Sequence, residues 1–247
     1  MENLSRVVDA DYEAVFGRLL ESVVKVPDLT AFWPACGHRY DRGLLVVGRA
    51  VNGWTHDWTR DRAADPAGRA AILAQARSAS ESAVECPLAW VGKQAGPTEP
   101  GVYNTNRSAF WRVTRAVVCR LHEWEPPPPD WSSYVCWTNL YKIAPAGGGN
   151  PGGKLEEVQR DLSGDLLQRE IAAFEPRRVL VLTGRNWFEP FAARLSLNVV
   201  WRDEARAVEG VAEDRGTRWV VAKHPERKPE DSAIAEILDA FKERSSR

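Results

Sequence analysis

No stretch of the 247-residue chain approaches the roughly 18 uninterrupted apolar residues that a membrane-spanning helix requires. The first residues, Met1-Glu2-Asn3-Leu4-Ser5-Arg6, lack the basic and apolar regions of a secretory signal, so a soluble, cytoplasmic protein that does not engage membranes is expected. Paired cysteines are also missing. Cys36, Cys86, Cys119 and Cys136 are scattered without a C-x-x-C pair, which argues against a compact zinc site or a disulfide scaffold and reads as reduced, mostly buried thiols. Neither a metal nor any other cofactor is expected. Charge of one sign is not in excess: the net charge is −1, so the molecule as a whole has no electrostatic preference for nucleic acid. Any affinity for DNA must come from a local basic face. No internal repeat is present, so a repeat architecture is not expected.

What is present is apolar material, 44% hydrophobic residues against 27% charged, enough for one domain with a substantial core over residues 1–247. Four apolar or β-branched runs, 43–48, 134–139, 178–183 and 219–222, suit strands buried on both faces. Helical patterns occupy about 9–24, 66–82, 107–122, 154–174, 186–195 and 229–242, and 197–201 reads as an edge strand. Strands alternating with helices imply an α/β fold, a three-layer α/β/α sandwich whose mostly parallel central sheet has about four strands. Residues 54–103 carry no strand signal and read as a helical insertion. Four consecutive prolines at 126–129 form a stiff connector, and the glycine-rich segment 147–153 a mobile loop. Eleven tryptophans are unusual at this length; each is expected in the core more often than as a stacking platform for a base.

In an open parallel sheet, ligands bind beyond the carboxyl ends of the strands. The residues that follow the four runs are polar. The first run leads into Gly48-Arg49-Ala50-Val51-Asn52-Gly53-Trp54, where Gly48 permits close backbone approach and Asn52-Gly53 marks a tight turn. The second ends in Thr138-Asn139-Leu140-Tyr141-Lys142-Ile143-Ala144-Pro145, the third in Gly184-Arg185-Asn186-Trp187, and the fourth in Lys223-His224-Pro225-Glu226-Arg227-Lys228-Pro229. Any one of these segments, alone, is explained by a turn, a strand stop or a helix cap. Their order and spacing together resemble the uracil-DNA glycosylase superfamily, in particular the branch in which most members carry an iron–sulfur cluster. The resemblance spans roughly residues 40–54 and 107–240. Its most detailed part is the strand ending in T-N-x-x-K-x-x-P (Thr138, Asn139, Lys142, Pro145), the acidic helix with Leu155-Glu156-Glu157, and Glu170-Ile171 through Pro176 into the strand that ends at Gly184. Two departures stand out. Arg49 occupies the place of the glutamate in the family's G-E-A-P-G motif, and the cluster's cysteine ligands are absent, so no cluster is expected.

The resemblance implies a monomeric DNA glycosylase that flips a uracil or another modified pyrimidine out of the duplex and hydrolyses its N-glycosidic bond. A bulky modified cytosine of foreign DNA is one such base. The alternative is a module that has lost catalysis and retains affinity for DNA or a modified base, with Arg49 as its main support. Cleavage builds negative charge on the departing base, and His224 is the candidate donor to it, as imidazole or imidazolium. Asn139 would read the base edge, with Trp54, Gly48 and Arg49 completing the base pocket. For positioning water, Asn52 and the carboxylate of Asp57 both remain open. Lys223, Lys142, Arg227 and Lys228 would contact DNA phosphates.

Overall fold

Continuous apolar runs become strands covered on both faces, and the amphipathic stretches between them become helices. The computed structural model describes residues 10–23, 28–51, 57–80, 85–92, 104–202 and 206–243. In chain order the elements are α1 (Ala10–Ser22), β1 (Leu29–Ala31), β2 (Ala35–Cys36), β3 (Leu44–Gly48), β4 (Asp57–Trp58), α2 (Arg60–Ala64), α3 (Pro66–Ser80), α4 (Ala89–Gly92), α5 (Ala109–Leu121), β5 (Val135–Asn139), β6 (Ile143–Pro145), α6 (Lys154–Phe174), β7 (Arg178–Val181), α7 (Arg185–Arg194), β8 (Val200–Trp201), β9 (Val208–Asp214), β10 (Thr217–Ala222) and α8 (Glu230–Lys242).

The main sheet has the order β2-β5-β3-β7-β10-β9-β8, seven strands where about four were expected. The four expected runs form its parallel centre, β5-β3-β7-β10. The additional strands are antiparallel and flank it: β2 beside β5, and β9 then β8 beside β10. β8 falls at the end of the edge strand expected over 197–201, whereas β2 and β9 escape a search for apolar runs. β2 is two residues long, and β9 (Val-Glu-Gly-Val-Ala-Glu-Asp) breaks its apolar pattern with Glu209 and ends in exposed Glu213 and Asp214 at the hairpin turn. β9 and β10 are joined by Arg215-Gly216, both at positive φ (48° and 82°), as a two-residue hairpin turn demands. A second, three-stranded sheet, β4-β1-β6, is antiparallel. Its strand β4 lies in the segment expected to be helical throughout; the described remainder of that segment does hold α2, α3 and α4.

Alternate residues of β3 face opposite layers. Leu44 and Val46 join a core with Trp111 and Val117 of α5 and Ile237 and Ala240 of α8. Leu45 and Val47 join Leu167 and Phe174 of α6 and Phe188 and Phe191 of α7. Burial of each such side chain contributes about 1.5–3 kcal/mol. A third core packs Tyr12, Phe16 and Leu20 of α1 against Leu29, Ile72 and Leu166. Trp33, Trp58, Trp111, Trp131, Trp137 and Trp219 are buried, the role expected of most tryptophans here. The thiol expectation needs correction at two positions. Cys36 and Cys136 face each other across the β2–β5 ladder with Cα atoms 4.1 Å apart and form a disulfide, whereas Cys86 and Cys119 are free.

Candidate functional site

Chain order across the parallel centre runs from β3 outward to β5, then back past β3 to β7 and β10, so the topological switch point lies between β3 and β7. Four backbone hydrogen bonds stitch the segments just past the strand ends: Leu140 N–H to Gly48 O (2.8 Å), Tyr141 N–H to Arg49 O (2.9 Å), Leu182 N–H to Val47 O (3.0 Å) and Gly184 N–H to Ala222 O (2.9 Å). The carboxyl edge is therefore a fixed platform. At ordinary strand spacing, its width from β5 to β10 is about 14 Å.

Asn139 ends β5 opposite Gly48 of β3 and is 1% exposed. A Cβ on Gly48 would lie 2.3 Å from Asn139 Oδ1, so the side chain can lie over the end of β3 because no Cβ is there. Among the described residues, the buried Asn139 Nδ2 donor has no hydrogen-bond partner. Beneath it, a buried network holds the strand end. Lys142 Nζ donates to Asn139 O (2.6 Å), Thr138 Oγ1 (2.7 Å) and Glu170 Oε2 (2.9 Å), and Thr138 and Tyr12 hydroxyls donate to the same Glu170 carboxylate at 2.7 and 2.6 Å. Burial holds the Lys142 ammonium below its ordinary pKa, while Glu170 opposes that shift. All three Lys142 Nζ protons are committed inside the protein, which corrects its expected contact with DNA phosphate. The side chain braces the backbone that carries Asn139. The T-N-x-x-K spacing exists because Lys142 must reach back to residues 138 and 139.

Arg49 follows β3 directly and crosses the switch point. Its Nε donates to Thr183 O at 3.1 Å, and its guanidinium carbon lies 5.1 Å from the Trp187 ring centroid. Half-buried, it is pushed below the ordinary arginine pKa by desolvation, with Glu226 acting the other way. His224 is half-buried beyond β10. Its pKa is lowered, first by burial and then by the Arg49 guanidinium, with Glu226 opposing and Lys228 adding to the decrease. The backbone N–H of Glu226 donates to His224 Nδ1 at 3.4 Å. The lowered pKa favours the neutral imidazole, and the Glu226 N–H favours the tautomer that accepts at Nδ1 and carries its proton on Nε2. The α7 N-terminus, which also opens at this edge, is already occupied: the Glu209 carboxylate accepts from Arg185 N–H at 2.6 Å.

Gly48, Arg49, Asn139 and His224 therefore share one edge. Arg227 and Lys228 are exposed on the turn after His224, Arg227 at a φ of 57°, and Lys223 is half-buried with its N–H on Ala207 O at 2.9 Å. Asn52 and Trp54 lie outside the described residues. Asp57 lies on β4 opposite Thr30, in the three-stranded sheet rather than in a segment that follows a parallel strand. Sequence reasoning assigned no role to Glu209, Thr183 or Trp187, which meet α7 and Arg49 through tertiary structure, and it placed Glu226 in the loop that would straddle DNA, not beside His224. Glu170 did stand in the quoted motif, and an acid in an otherwise apolar helix face is the signal that a buried cation awaits it. Comparison with protein-family models finds no match, and neither does comparison with curated proteins.

Proposed function

We propose that the chain is a uracil-DNA-glycosylase-like DNA N-glycosylase, acting on uracil or another modified pyrimidine flipped into the carboxyl edge of the sheet. The observation that carries this reading is the amide of Asn139 on its braced strand end, 1% exposed and with no partner for Nδ2 among the described residues. A buried donor without a partner costs about 1–3 kcal/mol, a cost that a base edge presenting an acceptor removes on binding. Across the edge, the neutral His224 supports the chemical step. As the C1′–N bond breaks, its electron pair stays on the base, and an Nε2–H donor stabilises the oxygen on which that charge collects. Water then supplies hydroxide to C1′ and a proton to the base, with Asn52 or Asp57 as the residue that orients it.

Oligonucleotides carrying different modified pyrimidines, incubated with the protein and treated with alkali, would report abasic sites. His224→Ala is expected to slow their formation about 10²–10³-fold, the usual effect of removing such a donor. Asn139→Ala is expected to abolish it while leaving the unfolding free energy within about 1 kcal/mol of wild type, because its amide nitrogen has no partner to lose among the described residues. No cleavage of any substrate would refute the enzymatic reading. A second reading, a binding module without turnover, is favoured by Arg49, whose side chain is tied to Thr183 O where the resembling family carries a catalytic acid. It requires retarded mobility of DNA with no abasic product.

A further inference from the structure

At the amino end of the parallel strands, opposite the candidate site, is a hollow of about 210 Å³ lined by Asp41, Leu44, His122, Arg177 and Arg178, among others. Its charges are unbalanced. The Asp41 carboxylate accepts from Arg177 (2.9 Å) and from Gly43 N–H (2.8 Å), so the one acid in the lining is already committed. Arg178 is half-buried at the start of β7, and its guanidinium has no hydrogen bond or ion pair among the described residues. His122, at the end of α5, is fixed by stacking on Trp124 with ring centroids 4.2 Å and planes 9° apart. Leu44, Val118 and Leu121 add an apolar wall to a lining that is mostly polar.

We propose that this hollow is a second ligand site, which takes the oxyanion group of a small molecule between Arg178 and His122. An unpaired, partly desolvated guanidinium gains two charge-assisted hydrogen bonds from a phosphate, sulfate or carboxylate. The apolar wall accommodates the organic part of a phosphate monoester. The charged groups that act on His122 are Asp41, Arg177 and Arg178; burial and the two arginines hold its pKa down, and Asp41 opposes them. A bound anion offsets the arginines and favours the imidazolium, so affinity must rise as pH falls.

The test follows the His122 ring signals of the full-length protein by NMR with sulfate, which stays a dianion across the range. The expected result is a saturable shift that tightens from about pH 7.5 to about pH 5.5. Arg178→Gln should weaken sulfate at least about tenfold. His122→Asn should keep binding, read on neighbouring backbone signals, but flatten its pH dependence. A nucleoside 5′-monophosphate binding more tightly than inorganic phosphate identifies an organic ligand, and equal binding identifies the free ion; both support the site. The absence of a saturable shift, unchanged affinity in a folded Arg178→Gln, or a His122 response to duplex DNA but not to sulfate would overturn it.

Discussion

The most demanding test of the brace beneath Asn139 is Lys142→Met combined in a cycle with Glu170→Leu. In the folded protein both side chains are 0% exposed, and the ammonium donates three hydrogen bonds, one to the carboxylate, one to Thr138 and one to the Asn139 carbonyl. Lys142→Met leaves the Glu170 carboxylate buried with two hydroxyl donors, Tyr12 and Thr138, and no cation. Removing one member of a buried pair costs about 3–5 kcal/mol, a large share of the roughly 5–15 kcal/mol that holds a domain folded. Glu170→Leu strands the ammonium in the same way. The double variant removes both charges, retains apolar volume, and leaves uncharged orphans at about 1–3 kcal/mol each. It should therefore be more stable than the sum of the single effects by roughly 2–3 kcal/mol. Urea unfolding of the four proteins at pH 7, followed by circular dichroism, measures this. A Lys142→Met cost below about 1 kcal/mol, or simple additivity, would refute the assignment of Lys142 to a structural role.

Three further outcomes are expected. Gly48→Ala should fold, at a cost of about 1–3 kcal/mol for overpacking, yet lose base recognition, because the new Cβ would displace Asn139 Oδ1 from 2.3 Å away; ligand binding compared with thermal unfolding separates the two effects. Burial lowers the folded pKa of both His122 and His224, so the unfolded chain binds protons first as pH drops. Stability is accordingly present above the unfolded value of about 6.5 and is lost as pH falls through the folded values; unfolding free energies from pH 7.5 to 5, with His224→Gln showing a shallower decline, check the sign. Ellman titration of the denatured, unreduced protein should count two thiols, Cys86 and Cys119, rising to four on reduction; four at the outset would contradict the disulfide.

The parallel centre of the sheet was legible because strands covered on both faces must be apolar throughout, as Leu44-Leu45-Val46-Val47 is. The helices were legible from their period, α6 to the residue. Of the short strands, β8 was legible within the edge strand expected at 197–201, whereas β2 and β4 are two residues long and carry too few side chains to show any period. Within the site, the strand-end rule found Gly48, Arg49, Asn139 and His224. It misassigned Lys142 because sequence shows a lysine next to polar residues but not the buried carboxylate of Glu170 that draws it inward, a contact across 28 residues. The Arg49 bond to Thr183 O spans 134 residues and has no local signature at all.

Tyr12 is 158 residues from Glu170, and its hydroxyl donates a hydrogen bond to the carboxylate that holds Lys142. The platform under Asn139 thus closes only after helix α1, strand β5 and helix α6 have all docked. Contacts of such long sequence separation are paid for in loop entropy before they reward the chain, so they form late. A half-folded molecule, or one proteolysed ahead of β1, would hold a central sheet yet present no ordered amide at its edge. Under the proposed function, recognition at Asn139 would be conditional on completion of the whole structure, and a partly assembled chain would not engage a base.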